Sequence, residues 1–222
     1  KRLAGDGLPI VLVDRHLVGY DFDAVLPDNV GGAFAAVSHL VELGHRRISF
    51  VATDNLATTS VAERLQGYQQ ALLVAGIELD PQLVFTRLPV PRAWPRDWRA
   101  PVRDNIVAIA RFLGRAEASA VFALHDHLAI EVIEAARSLG LDVPGDLSVA
   151  GFDDDPLAEA FSVPLTTVAQ PRERIGRIAA TLVVDRIEGR RQDIERIILP
   201  TRLVVRRSTG APRALEQETR GT

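Results

Sequence analysis

Apolar positions along the chain fall into two alternating patterns: short unbroken runs, and longer stretches in which they recur every three or four residues. The runs at residues 9–13, 48–52, 83–88, 120–124 and 147–152 predict strands, buried ones where the run is continuous. The helical period predicts helices over 30–43, 62–75, 104–113, 128–139 and 172–187. In the first of these Phe34, Val37, Leu40 and Val41 share a face, and Gly44, like Gly76 and Gly140 after later helices, suits a left-handed stop. Two late strands, 195–199 and 202–205, flank Pro200. Strand and helix alternating through short turns argue an α/β fold of doubly wound parallel sheets. Segment 89–101, with four prolines and both tryptophans, breaks the pattern and predicts a long loop.

The run ending at Phe152 stops abruptly in Asp153-Asp-Asp155. Ligands of open parallel sheets settle outside the carboxyl ends of the strands, so these carboxylates are expected at a site. As residue types they fit magnesium ligands, an acid/base pair, or acceptors for a polyhydroxylated ligand. Neighbours on an extended strand point to opposite faces, which argues against two of them flanking one bond; Asp154 and Asp155 also suit a turn before Pro156. His125-Asp-His127 follows another strand. A zinc centre needs a third ligand, and His16, His39 and His45 lie in unrelated contexts, so no metal is expected. Asp126 is read as the cap of the next helix and His125 as facing the crevice. Arg64 follows the hydroxyl-rich segment 53–60; its guanidinium suits paired hydroxyls or a carboxylate, although a plain surface arginine fits the spacing as well. Trp94 and Trp98 either stack on a sugar ring or anchor their loop. Gly-x-Gly-x-x-Gly, P-loop, Gly-x-Ser-x-Gly and His-Glu-x-x-His motifs do not occur.

Composition narrows the setting. At 222 residues and 47% hydrophobic, the chain can bury one large or two smaller cores. A formal charge of −3 lacks the basic footprint of a nucleic-acid binder, so any DNA-reading part is expected elsewhere. No apolar run reaches bilayer length and no export signal is recognisable, which reads as an unexported, cytoplasmic protein. The lack of cysteine excludes disulfides and thiol chemistry. Lys1 as the only lysine and the lack of methionine suggest a piece of something longer, and residues 210–222 read as a disordered tail.

Taken in order, Pro9-Ile-Val-Leu-Val-Asp-Arg15, Asp28-Asn29, His39-Leu-Val-Glu-Leu-Gly-His-Arg-Arg-Ile48, Arg64-Leu-Gln-Gly-Tyr68, Asp126 with Leu128-Ala129, Val143-Pro-Gly-Asp-Leu-Ser-Val-Ala-Gly-Phe-Asp-Asp154, Pro164-Leu-Thr-Thr-Val168 and Leu199-Pro200 through Arg207-Ser208 carry the resemblance. Over residues 8–209 they resemble the successive signatures of the lactose/galactose-repressor (LacI/GalR) family of bacterial transcription regulators. The resemblance implies a two-lobe core of the periplasmic-binding-protein-like type I architecture, with three crossing segments and the effector in the cleft. Residues 1–28 would then be part of an N-terminal lobe that is incomplete in this chain, and 29–168 the C-terminal lobe. Residues 169–200 would return to the N-terminal lobe, and 201–209 would supply the last strand of the C-terminal lobe.

By the same resemblance Arg64 binds ligand hydroxyls or a carboxylate, Asp153 and Asp14 accept hydrogen bonds from opposite walls, Thr58 and Ser60 line the pocket, and Trp98 supplies an aromatic platform. Two positions depart from the family pattern. His125 stands where asparagine is usual, and Arg172 where an apolar or aromatic contact is frequent, which favours an acidic or phosphorylated effector. The function implied is that of an effector-sensing domain of a repressor responding to a sugar or related small polar metabolite. It would work as a homodimer, without cofactor or catalysis, and reach operator DNA through a headpiece absent from this sequence. A solute-binding protein of an uptake system shares the fold and is the alternative. A sugar-processing enzyme would need a nucleophile with a base or metal, and none emerges.

Overall fold

The computed structural model describes residues 8–89 and 101–213. Strand β1 (Val11–Val13) pairs in parallel with β2 (Asp23–Pro27), and β2 with β8 (Arg196–Leu199), in the sheet order β1-β2-β8. On it lies helix α6 (Arg172–Ile187), whose Ile175, Ala179 and Leu182 share one stripe and form a small core with Val25 and Leu199. The second sheet is also parallel. It is ordered β4-β3-β5-β6, from β3 (Ile48–Thr53), β4 (Val84–Leu88), β5 (Ala120–Ala123) and β6 (Ser148–Ala150). Its helices form two packed pairs, α1 (Asn29–Glu42) on α2 (Thr59–Val74) and α3 (Arg103–Ala116) on α4 (Asp126–Ser138). Chain order puts β4 on one side of β3 and β5 on the other, so the strand order reverses at β3/β5, and a crevice opens there at the carboxyl ends.

Helix α5 (Pro156–Ala160) and strand β7 (Thr167–Ala169) complete the chain, β7 pairing antiparallel with β9 (Arg202–Val204). The chain passes from one sheet region to the other three times, near Asp28, Gln170 and Pro200. Gly44, Gly76 and Gly140 stop their helices with φ of 101°, 66° and 76°, as their positions in the hydrophobic pattern require.

Several expectations need correction. Strand β1 was expected to be buried, yet Val13 is 47% exposed, because β1 is the edge strand of its sheet among the described residues. Strand β2, fully buried, has no counterpart among the sequence expectations, and neither do α5 and β7. Residues 210–213 belong to the folded body rather than to a loose tail. The Gly210 amide donates to Ser148 Oγ at 3.0 Å, its carbonyl accepts from His45 Nε2 at 2.9 Å, and Arg213 pairs with Asp146. Residues 214–222 lie outside the described residues.

Three rings hold the larger core together. Phe50 packs on Phe122 at 5.8 Å and on Tyr68 at 5.5 Å between centroids. Tyr68 is fully buried, and its hydroxyl donates to the Ile48 carbonyl at 2.8 Å. Tyr68→Phe keeps the ring and loses only that bond, so unfolding in urea should show a loss of about 1 kcal/mol. A loss near the 3–5 kcal/mol scale of ring removal would mean that the ring packing had also been disturbed.

Candidate ligand-binding site

At the crevice the strand ends of both sheets deliver polar groups to one cavity of about 610 Å3. Asp14 arrives from β1, His125 from β5 and Asp153 from just beyond β6; Thr58 and Ser60 come from the start of α2, and Arg172 from the start of α6. These sequence-predicted residues, with Arg64, share one lining. Trp98 lies outside the described residues, as does most of segment 89–101.

Arg64 is not a surface arginine. It is 5% exposed, its Nε donates to Asn29 Oδ1 at 3.0 Å and its Nη1 to the Leu124 carbonyl at 2.7 Å. The guanidinium lies 3.8 Å over the Phe152 ring, and its Nη2 stands 3.4 Å from Asp153 and 3.9 Å from Asp14. One cation thus bridges carboxylates from the two sheet regions. Asp153 is oriented further by Gln170 Nε2, which donates to it at 2.6 Å, while Arg172 Nη2 donates to the Asp153 carbonyl at 2.7 Å. Thr58 occupies the N-cap position of α2 without using its hydroxyl as a cap, which leaves that group for the cavity.

The helix cap after β5 is His125, not Asp126. His125 Nδ1 accepts from the Leu128 amide at 3.1 Å, because α4 starts at Asp126, two residues before the hydrophobic period suggests. Accepting there fixes the ring proton on Nε2, so a neutral His125 presents a donor. Asp126 is buried and ties α4 to neighbouring segments: it accepts from Thr167 Oγ1 at 2.5 Å and from the Asp155 amide at 2.8 Å. Of the other aspartates, Asp155 caps α5, as the turn reading anticipated, whereas Asp154 pairs with Arg206 at 2.8 Å instead.

Burial, then the Arg64 charge and His127, push the His125 pKa down to about 3. Burial pushes Asp126 up to about 7, opposed by its Thr167 and Asp155 hydrogen bonds and reinforced by Asp153 and Asp154. The two linkages have opposite signs. As pH falls from 6.5, the unfolded His125 takes a proton that the folded one refuses, and stability is lost. As pH rises from 3.8 toward 7, the unfolded Asp126 releases a proton that the folded one keeps, and stability is again lost. Asp126→Asn should therefore gain on the parent as pH rises through this window, and His125→Asn should gain as pH falls. Urea midpoints at pH 4, 5.5 and 7 check both signs; curves parallel to the parent would contradict these assignments.

The lining also contains residues that the sequence reading passed over as site residues, chiefly Asn105, Glu131 and Gln170. Glu131 Oε1 accepts from the Val102 amide and Oε2 from Asn105 Nδ2, both at 2.9 Å. Among the described residues no group of His, Cys, Asp and Glu has the arrangement of a metal centre, and no helix is long and apolar enough to cross a membrane.

Residues 37–209 match the family model for a periplasmic binding protein-like domain. The transcriptional regulator CelR of Thermobifida fusca is 39% identical over 186 residues, covering 82% of this chain and 50% of that protein. A structure of a CelR–cellobiose complex superposes with a TM-score of 0.82 at 37% identity, over 93% of this chain and 60% of that one. A LacI-family regulator from Enterococcus faecium with bound ribose gives 0.79 at 31% identity, over 94% of this chain and 73% of that one. The chain spans about half the length of the curated relatives it matches. With a buried arginine bridging two carboxylates at the mouth of paired parallel sheets, and these likenesses across nearly its whole length, the chain belongs to the periplasmic binding protein-like domains of LacI-family regulators.

Proposed function

We propose that this chain is the effector-sensing core of a DNA-binding repressor, responsive to a sugar or related small polar metabolite and working in the cytoplasm as a homodimer. The observation that carries the reading is Arg64, buried beneath the cavity and shared between Asp14 and Asp153. A guanidinium fork beside acceptor-only carboxylates suits hydroxyl-rich ligands, which both donate and accept. Because the carboxylates come from different sheet regions, a ligand bridging them binds one relative arrangement of the two better than another. It shifts a two-state equilibrium by that difference in affinity. A dimer would pass the shift to a DNA-binding module of the same regulator. That the relatives are regulators, and that two of the solved neighbours hold cellobiose and ribose, supports sensing over uptake or turnover.

Thermal-shift screening against sugars, polyols, sugar phosphates and nucleosides tests the reading, since a ligand of the folded state raises the melting temperature by mass action. A hit is expected to release the regulator from its operator and to be erased by Asp153→Ala. Hits that survive this substitution unchanged would remove the cavity as the sensing site.

A further inference from the structure

The polar lining of the cavity does not end at Arg64. From His125 it continues along α4 through His127 and Glu131, which stand one helical turn apart on the same face, and meets Asn105 on α3. His125 and Glu131 are separated by about 9 Å along the helix axis, longer than one sugar ring is wide. The same lining also carries the apolar side chains of Val61, Leu128 and Ile130. As bounded by the described residues, the cavity of about 610 Å3 falls in the range of roughly 300–1,000 Å3 that encloses drug-sized ligands.

Among the described residues the charge in the lining is balanced. Three guanidiniums (Arg15, Arg64 and Arg172) face three carboxylates (Asp14, Asp153 and Glu131). The cations are already engaged: Arg15 lies 3.4 Å from Asp14, Arg64 bridges both aspartates, and Arg172 donates to the Asp153 carbonyl. Among the described residues, an anionic ligand would have to be desolvated beside these carboxylates, with two of the three cations already paired to them. Glu131 is 6% exposed, and each of its oxygens keeps a second lone pair beyond the bonds to Val102 and Asn105, enough to accept a ligand hydroxyl.

We propose that the cavity is a two-part site for an uncharged saccharide of at least two rings, with the inner ring at Arg64, Asp14 and Asp153 and the outer ring along Asn105, His127 and Glu131. This rests on the sensing function proposed above and specifies its ligand. The fixed Nε2 donor of His125 stands at the junction and suits an ether or glycosidic oxygen, which only accepts.

Titration calorimetry of the full chain with cellobiose, maltose, lactose and xylobiose, beside glucose, galactose, xylose and glucose 6-phosphate, tests the proposal. At least one disaccharide should bind about tenfold more tightly than its own monosaccharides and than the phosphate, the scale of one well-placed hydrogen bond. Asn105→Ala should erase that advantage and leave monosaccharide affinity unchanged within about twofold. His127→Ala serves the same end should Asn105→Ala fail to fold. Monosaccharides or the phosphate binding as tightly as every disaccharide, or the substitutions weakening both classes equally, would overturn the outer subsite and leave the sensor reading standing. A panel in which no sugar binds would overturn the saccharide assignment and the sugar-sensing reading with it.

Discussion

Gly67→Ala should destabilise the protein by about 2 kcal/mol or more, although alanine is the better helix former by about 1 kcal/mol. Gly67 lies in α2 where that helix meets α1. A Cβ there would stand 2.3 Å from the Val30 carbonyl oxygen, 2.7 Å from Ala33 Cβ and 2.9 Å from the Phe34 amide nitrogen. Two of these atoms are backbone and the third is a Cβ, so none can yield by changing rotamer. The helices must separate, opening the contact that places Arg64 one turn earlier on α2. Urea unfolding with circular-dichroism detection reads the effect. A variant at least as stable as the parent would show that α1 and α2 are not in close contact in solution.

Arg64→Ala should abolish the ligand response, weakening binding by about a hundredfold or more, the effect of losing a buried charged anchor. It also leaves Asn29 Oδ1 and the Leu124 carbonyl without their donor, and places Asp14 and Asp153 around an uncompensated hollow. Because both carboxylates are partly exposed, solvent screens their repulsion, and the accompanying loss of stability should be about 1–3 kcal/mol. Arg64→Lys separates the two effects: it keeps the charge and the fold but lacks the planar fork, so ligand affinity should still fall. Calorimetry with any ligand of the parent, beside unfolding curves, checks both; parent-like affinity in Arg64→Ala would sink the site.

Where the hydrophobic pattern alone decides structure, the sequence was legible. Strands β3 and β5 and helices α1, α2, α4 and α6 lie within a few residues of where the apolar periods place them. Strand β2 was not legible, because it opens with Asp23 and closes with Pro27, both of which read as loop residues. The charge of Asp23 is answered by Arg186, which holds both its oxygens at 2.6 and 2.9 Å from a helix at the other end of the chain. Asp126 was misread for a similar reason: its role depends on Thr167, which no local spacing announces. The cluster of Arg64, Asp14 and Asp153 followed from strand ends and from the family resemblance, whereas Glu131 and Asn105 sit on helices where polar residues ordinarily face water. Only the packing of α3 on α4 turns them toward the cavity.

Asp14, Asp153 and Asp154 hold φ of 68°, 115° and 51°, backbone that a side chain adopts at a cost of roughly 1–3 kcal/mol per residue. Glycine would occupy the same turns without that cost. At Asp14 and Asp153, however, that relief is set against a buried Arg64 guanidinium left short of its carboxylate partners. Selection for thermal tolerance alone therefore finds no easy route to glycine there, and the strained turns keep the carboxylates that face the cavity.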